Sequence, residues 1–457
     1  MGSLAAPTAW PTLAELLPVL TFRSGYNTTV VLAGVTLLGI AAGTVGTFAL
    51  LRKRALMSDT LSHAALPGIA AAFLLATLLG YGGRNLWLLL AGAAVSGIVG
   101  VLVVQFIVGR TRLPIDAAMG AVLSVFFGLG LVLMSHVQKL GSGDQGGVGK
   151  FIYGQTAAMT AAEAISIGIV ALTVVLASLA LLKEFRLICF DPEFAHAQGW
   201  PVDRIDLLMM ALVVAVTVIG MRAVGLILVI ALLIIPAAAA RFWTERLALM
   251  VVLAALLGGL SGYLGAAASA VLPSFPAGAV IVLVAGALFL ISLLLAPERG
   301  VVASALRQAR LRVDIASQHV LRAAYECIER GHATAEMPVA LAALRPLRAW
   351  PRPWLAMVLS TLRWRELIEA RSGGFVLTPA GRNDALRITR NHRLWEQFLV
   401  AHADLAPSHV DHSADLVEHI LSPEMVAELE RQLGALGRLP RHLGLPPSVH
   451  PLGSGAG

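Results

Sequence analysis

Nine long apolar runs constrain the fold of this chain more than any other feature. A helix needs about 20 apolar residues to cross a bilayer. Runs of that order lie at 28–51, 60–80, 87–109, 114–135, 162–182, 205–221, 223–240, 245–272 and 276–297. The chain is 57% hydrophobic and 13% charged, whereas soluble domains carry about 25% charged residues. The sequence therefore predicts an all-α polytopic membrane protein with about nine transmembrane helices.

The count is least certain between the sixth and seventh runs, because only Met221 and Arg222 separate them and eight spans remain the alternative. The charges of the loops test the count. With nine spans and the N-terminus outside, one side receives Arg52, Lys53, Arg54, Arg110, Arg112, Lys183, Arg186, Arg204, Arg241, Arg246 and Arg299. The other side receives Arg23, Arg84, Lys139, Lys150 and Arg222. Cytoplasmic loops are enriched in Lys and Arg. The first side is therefore predicted to be cytoplasmic, together with everything after Pro297.

The composition changes after Pro297, where charged residues become frequent and no further apolar run of 20 residues occurs. We predict a transmembrane domain over 1–297, a cytoplasmic domain over 298–436 and a disordered, Pro/Gly-rich tail over 437–457. The two cysteines, Cys189 and Cys327, are far apart and give neither a disulfide framework nor a metal motif.

A carboxylate and an imidazole open the second apolar run. Asp59 and His63 are four residues apart, so a helix places them on one face. A charged group near membrane depth is costly and usually faces a cavity or a partner. Oxygen and nitrogen donors on one face suit a divalent cation such as manganese, iron or zinc. The alternative is a polar pair that packs two helices or caps one.

A short helix is predicted between two spans, within the run Phe190–Pro201. Asp191 is a good N-cap residue with Pro192 at the first helical position, and Gly199 is a good C-cap. The helix is either a plain connector or a coupling helix, including Glu193, that transmits force from a separate ATPase. No Gly-x-x-x-x-Gly-Lys-Ser/Thr loop occurs in the chain, so ATP hydrolysis by that route is not expected here.

Four runs, in order and with plausible spacing, resemble the ABC permease family for zinc, manganese and iron(II) import: Met57–Gly68, Asp116–Gly120, Phe190–Pro201 and Val224–Ala237. The resemblance implies a permease dimer in a bacterial-type plasma membrane, a pair of cytoplasmic ATPases and an extracytoplasmic metal-binding protein. It also implies that Asp59 and His63 meet the metal, which is the substrate, and that a second permease subunit supplies the same pair.

The soluble region is predicted to contain a winged helix. Helical periodicity runs through about 315–330, 333–343 and 354–366. Two short strands around Ser372-Gly373-Gly374 are predicted within Leu367–Thr378. Further helices are predicted at about 379–402, 409–421 and 424–436.

The segments Leu377–Gly381, Asn391–Glu396 and Asp415–Glu424 resemble the diphtheria toxin repressor family of metal-sensing, dimeric repressors. The match is most specific in its C-terminal half. It implies that four residues bind a regulatory metal: His392, Asp415, Glu418 and His419. Such ligands must be deprotonated, so metal binding is expected to weaken at acidic pH.

This domain departs from the repressor family in two places. The first helix of the family supplies acidic ligands, whereas the aligned positions here hold His319 and Arg322. One metal site at most is therefore expected. Pro351 and Pro353 lie at the start of the predicted recognition helix, where such a helix normally contacts bases. DNA is accordingly a less favoured partner than metal.

The sequence thus predicts a permease subunit of an ABC importer for manganese or zinc, less favourably iron, with a cytoplasmic metal-sensing domain and no organic cofactor. Two alternatives stay open. One is a membrane-anchored, metal-dependent transcriptional regulator, although nine spans are more than an anchor needs. The other is an ion-driven secondary transporter, which would need neither a coupling helix nor an ATPase.

Overall fold

The computed structural model describes residues 13–54, 56–79, 86–139, 156–272, 275–329, 337–344, 351–402, 422–436 and 446. The chain divides into two compact units, Met1–Ser304 and Ala305–Gly457. The expected tail over 437–457 lies outside the described residues except for Pro446.

The first unit is a bundle of helices. They are α1 (Leu13–Leu20), α2 (Tyr26–Leu51), α3 (Met57–Leu78), α4 (Leu86–Arg110), α5 (Ile115–Lys139), α6 (Ala161–Ala180), α7 (Leu182–Phe190), α8 (Pro192–Ala197), α9 (Val202–Val224), α10 (Leu226–Arg241), α11 (Leu247–Val271) and α12 (Ala277–Leu295). Among the described residues, eight helices are long and apolar enough to cross a membrane: α2, α3, α4, α5, α6, α9, α11 and α12. The predicted class, an all-α polytopic membrane protein, is confirmed.

The count of nine full-length spans is corrected to eight and one shorter apolar helix. The run predicted at 223–240 forms α10, which has 16 residues and is therefore about 24 Å long, less than the roughly 30 Å of a hydrocarbon core. Gly225 separates α9 from α10 with φ at 87°, a left-handed conformation that suits glycine. A methyl group at Gly220 of α9 would stand 2.6 Å from Val229 Cγ2 of α10. The chain therefore folds back on itself at Gly225, between these two residues.

Helix α2 lies at the centre of the bundle, and glycines bring it close to its neighbours. It packs most extensively against α11, whereas α3 packs against α4 and α5. A methyl group at Gly39 would overlap the carbonyl group of Gly258, and one at Gly43 would overlap that of Ala254. Small residues permit such close approach of helices in lipid. Helix α3, which carries Asp59 and His63, packs against α4 and α5 and less extensively against α9 and α10.

The second unit contains a small sheet among helices. Its elements are α13 (Val301–Glu329, which begins in the first unit), β1 (Val339–Ala340), α14 (Leu341–Leu344), α15 (Arg352–Trp364), β2 (Ile368–Arg371), β3 (Gly374–Leu377), α16 (Pro379–His402) and α17 (Pro423–Ala435). The strands are antiparallel in the order β1-β3-β2. Ile368 pairs with Leu377 and Arg371 with Gly374, so the predicted hairpin is present.

Two details of this unit differ from the sequence prediction. The helix predicted at 333–343 is wrong at Val339 and Ala340, which pair with β3, whereas its last residues lie in the short helix Leu341–Leu344. Pro338 interrupts the predicted helix, since proline removes a helical hydrogen bond. Pro351 is the N-cap of α15 and Pro353 lies in its first turn, where a missing N–H costs little. These prolines start the helix rather than distort it.

Candidate metal pathway and coupling site

Asp59 and His63 lie one helical turn apart near the start of α3. His63 Nε2 is 3.5 Å from Asp59 Oδ1, and the side chains are 23% and 38% exposed, respectively. The ring of Phe127 on α5 meets the His63 ring edge to face, with 5.0 Å between ring centroids. His63 Nδ1 is buried and makes no hydrogen bond to a described residue. The His63 ring is thus oriented by packing on Phe127, and both side chains keep part of their surface exposed.

Two hydroxyl groups near the predicted ligands donate hydrogen bonds to backbone carbonyl groups one turn earlier. Ser62 Oγ donates to the Ser58 carbonyl at 2.8 Å, and Thr60 Oγ1 to the Leu56 carbonyl at 3.1 Å. Ser58 Oγ is buried and makes no hydrogen bond to a described residue, so Asp59 and His63 are distinguished as the ionisable groups of this turn. Within the described residues no group of three or more His, Cys, Asp or Glu residues is placed to hold a metal ion. One chain therefore offers two ligands here, an oxygen and a nitrogen.

The predicted coupling helix is α8, which is shorter than the expected 191–199 segment. Asp191 Oδ1 accepts a hydrogen bond from the backbone N–H of Phe194 at 2.9 Å, and Pro192 opens the helix. Gly199 has φ at 81° and ends the segment. Glu193 is exposed, whereas Ala195 is fully buried. The helix is therefore held by one face, and its other face is free within the described part of the first unit.

Exposed aromatic rings surround this helix. Phe190 is 63%, Phe194 50% and Trp200 41% exposed. Aromatic residues are enriched at protein–protein interfaces. The surface formed by these rings and α8 is called the aromatic surface below.

One buried carboxylate, Asp206 at the start of α9, was not predicted from the sequence as a functional residue. Asp206 Oδ1 accepts a hydrogen bond from Arg52 Nε at 3.1 Å, and Asp206 Oδ2 pairs with Arg54 Nη1. Gln105 Nε2 also donates to Asp206 Oδ2 at 3.1 Å. The available signal was an acid at the edge of an apolar run, because ionisable residues in such places usually pair with one another or with backbone carbonyl groups. Arg52, Arg54, Gln105 and Asp206 form what is called the Asp206 cluster below.

Of the four residues predicted to bind a regulatory metal, only His392 is described; Asp415, Glu418 and His419 lie outside the described residues. His392 is 3% exposed. Its Nδ1 lies 2.6 Å from Arg322 Nη1 and its Nε2 3.1 Å from Glu396 Oε1. Arg322 Nε in turn lies 3.4 Å from Glu326 Oε1. The Arg322 guanidinium occupies the place beside His392 Nδ1 that a divalent cation would need. A metal ion bound to that nitrogen does not fit this arrangement.

The first unit combines a bundle of apolar helices, a polar pair on α3 and a capped connecting helix. These features are those of a polytopic permease. Residues 26–296 match the model of the ABC 3 transport family, and the chain belongs to that family. Residues 378–446 match the model described as iron dependent repressor, metal binding and dimerisation domain.

Three known proteins illustrate this similarity. The manganese transport system membrane protein MntC of Bacillus subtilis is 36% identical over 416 residues, which cover 91% of this chain and 93% of that protein. The zinc transport system membrane protein TroC of Treponema pallidum is 42% identical over 290 residues, or 63% of this chain and 95% of that protein. The solved structure of PsaBC from Streptococcus pneumoniae in complex with Fab aligns with a TM-score of 0.53 and 31% identity, covering 63% of this chain and 98% of that one.

The match to the Bacillus protein is longer than the first unit of this chain, so it extends into the second unit. The other two matches each cover 63% of this chain.

Proposed function

We propose that this chain is the permease subunit of an ABC importer for a divalent transition metal, with manganese or zinc ahead of iron. Family membership and the relatives named for manganese and zinc transport support this proposal. The observation that carries it is the Asp59–His63 pair on α3, with a buried His63 Nδ1 that has no described partner. Oxygen and nitrogen donors suit all three metals.

The pathway is proposed to form between two permease chains. One chain offers two ligands at this point, and both side chains are partly exposed at the surface of its own bundle. A second chain with the same pair completes two carboxylates and two imidazoles. The direct test is uptake of radioactive manganese and zinc by cells that lack their own importers and express this chain with its ATPase and extracytoplasmic binding protein. Uptake that persists without an ATPase would instead favour a secondary transporter.

The orientation proposed for the chain places the N-terminus outside and the second unit in the cytoplasm. In this orientation the eight long helices and the shorter α10, which folds back against α9, make nine passes through the membrane. Nine passes keep the basic loops on the cytoplasmic side. Phospholipid surrounds the exposed apolar faces of α4, α5 and α6, which carry residues such as Phe106, Val125 and Leu172.

The aromatic surface is proposed to be the docking site for the ATPase. A cysteine placed at Glu193 in α8 or at Gln198 just after it, both exposed, is expected to crosslink to the ATPase subunit in a nucleotide-dependent manner. Burial raises the pKa of the native Cys189 thiol to about 12, and because the thiolate is the reactive form this cysteine should give little background. Lys139→Cys, exposed at the end of α5 on the side proposed to be extracytoplasmic, is the control and should not crosslink. Labelling of Glu193→Cys only from outside the cell would contradict both the docking and the orientation.

The second unit is proposed to sense cytoplasmic metal and to restrain transport, with one site at most per protomer. Asp415, Glu418 and His419 remain the proposed ligands, while Arg322 opposes a metal at His392. DNA binding stays the alternative.

Metal binding by the second unit is expected to depend on Arg322. In the full-length protein, Arg322→Glu should restore an acidic group beside His392 and tighten manganese or zinc binding by about tenfold or more, because a cation next to the metal is replaced by an anion. Arg310→Glu, exposed on the same helix, is the control. Calorimetry on both variants measures the change. Equal affinity in the two variants would contradict this role of Arg322, and metal-dependent binding to a defined operator would favour the repressor alternative.

A further inference from the structure

The Asp206 cluster joins parts of the first unit that are far apart in the chain. Asp206 is 4% and Arg54 8% exposed. Arg54 Nε is buried without a described partner, so the pairing of this guanidinium depends on Asp206. Arg52 also donates from Nη1 to the Ile188 carbonyl at 3.0 Å, which ties the cluster to α7. One carboxylate thus holds together the α2–α3 connection, α4 and α9.

The backbone of the α2–α3 connection is shaped to present both arginines to this carboxylate. Lys53 has φ at 57°, a conformation that is uncommon for a residue with a side chain. Its N–H donates to the Leu50 carbonyl at 3.0 Å, and that of Arg54 to the Ala49 carbonyl at 2.8 Å. These two bonds are the Schellman ending of a helix, in which glycine usually takes the place of Lys53.

Arg54 is also tied directly to the start of α3. The Arg54 carbonyl accepts a hydrogen bond from the N–H of Met57 at 2.9 Å, and Met57 is the first residue of α3 and fully buried. Asp59 follows two residues later. A displacement of Arg54 therefore moves the turn of α3 that carries the proposed metal ligand.

On the opposite side, Asp206 is tied to the coupling helix. Ala195 of α8 packs in a buried cluster with Ile188 and Val202. Val202 and Asp206 are four residues apart on α9, hence on one face. The carbonyl of Ile188 accepts the hydrogen bond from Arg52. Ile188 thus contacts both Ala195, which anchors α8, and Arg52, which lies in the connection to α3.

We infer that Asp206 is a positioning residue that couples movement of α8 to the metal-binding turn of α3. This inference rests on the proposed transport function. Asp206 pulls on Arg54 when α9 moves with α8, and Arg54 carries the first turn of α3 with it. Without the Asp206 carboxylate, the buried Arg54 and the partly buried Arg52 lose their counter-charge, so the connection loses its fixed position.

The test uses the full importer in vesicles and measures metal uptake and ATP hydrolysis together. Asp206→Asn should lower the metal transported per ATP hydrolysed by about tenfold or more, within the range typical of coupling between two sites. Asp206→Glu should retain much of it, because the charge is kept. The control is Asp203→Asn, an exposed acid one turn earlier on the same helix, which should behave as the unaltered protein. An unchanged ratio in Asp206→Asn would overturn the inference.

A second measurement separates this inference from the proposed transport. Leu56 precedes α3 and is 54% exposed. With Leu56→Cys, maleimide labelling should change with nucleotide in the otherwise unaltered importer and lose that response in Asp206→Asn. The response needs no metal, so it can be read even if uptake of manganese and zinc fails. Should Asp206→Asn not fold, Gln105→Leu removes one donor without unpairing a charge and should reduce the response; a full response there would contradict the inference.

Discussion

Uptake of manganese or zinc is expected to fall by about 100-fold or more when Asp59 or His63 is replaced by alanine, more than the loss of an outer-shell partner usually costs. The two side chains are 3.5 Å apart on α3 and face partly outward. Each substitution removes two of the four ligands proposed for the pathway, because both permease chains carry it. Uptake of radioactive metal, normalised to the amount of assembled importer, is the measurement.

The matched control is His136→Ala, an exposed histidine in the last turn of α5, which should leave uptake unchanged. Phe127→Leu provides an intermediate case, since it removes the ring that packs edge to face on His63 and keeps the ligand itself. It should weaken uptake less than His63→Ala. Normal uptake in both Asp59→Ala and His63→Ala, in well-assembled importers, would exclude this pair from the pathway.

The helices were largely predictable because each is specified by residues within one segment. Apolar runs of about 20 residues leave the backbone no partner in lipid except itself, so the runs became helices close to the predicted bounds. The exception is the run over 223–240. The run was predicted to be a full span because the sequence does not show whether the chain turns at Gly225. Glycine tolerates both a continued helix and the left-handed conformation that the structure has there.

The pairing of distant charged groups was not predictable from one sequence. The Asp206 cluster joins residues as much as 154 positions apart, and His392 meets Arg322 across 70 positions. Local periodicity carries no information about such contacts. Arg322 was nevertheless recognised as a departure from the repressor pattern, and the structure adds a reason for its effect: the guanidinium contacts the histidine that was expected to bind metal.

Replacement of the glycines between α2 and α11 is expected to destabilise the bundle. Gly39 and Gly43 lie in α2, and Gly258 lies in α11. In the structure a methyl group at Gly39 would overlap a backbone carbonyl group of α11, which no rotamer change can relieve. Gly39→Ala should therefore cost about 2 kcal/mol, within the range for overpacked cores, and Gly39→Val more. Thermal unfolding of the detergent-solubilised protein, followed by size exclusion, measures the loss.

Glycines in open positions distinguish this steric effect from a general intolerance of substitution. A methyl group at Gly120 and Gly128 of α5 or Gly286 of α12 would meet nothing within 4 Å. Alanine at these positions should be neutral or stabilising by up to about 1 kcal/mol, because alanine favours the helix more than glycine does. Equal unfolding temperatures for Gly39→Ala and Gly128→Ala would show that α2 and α11 do not approach as closely as the structure places them. A drop confined to Gly39→Ala and Gly43→Ala would instead identify this contact as the one that holds the centre of the bundle.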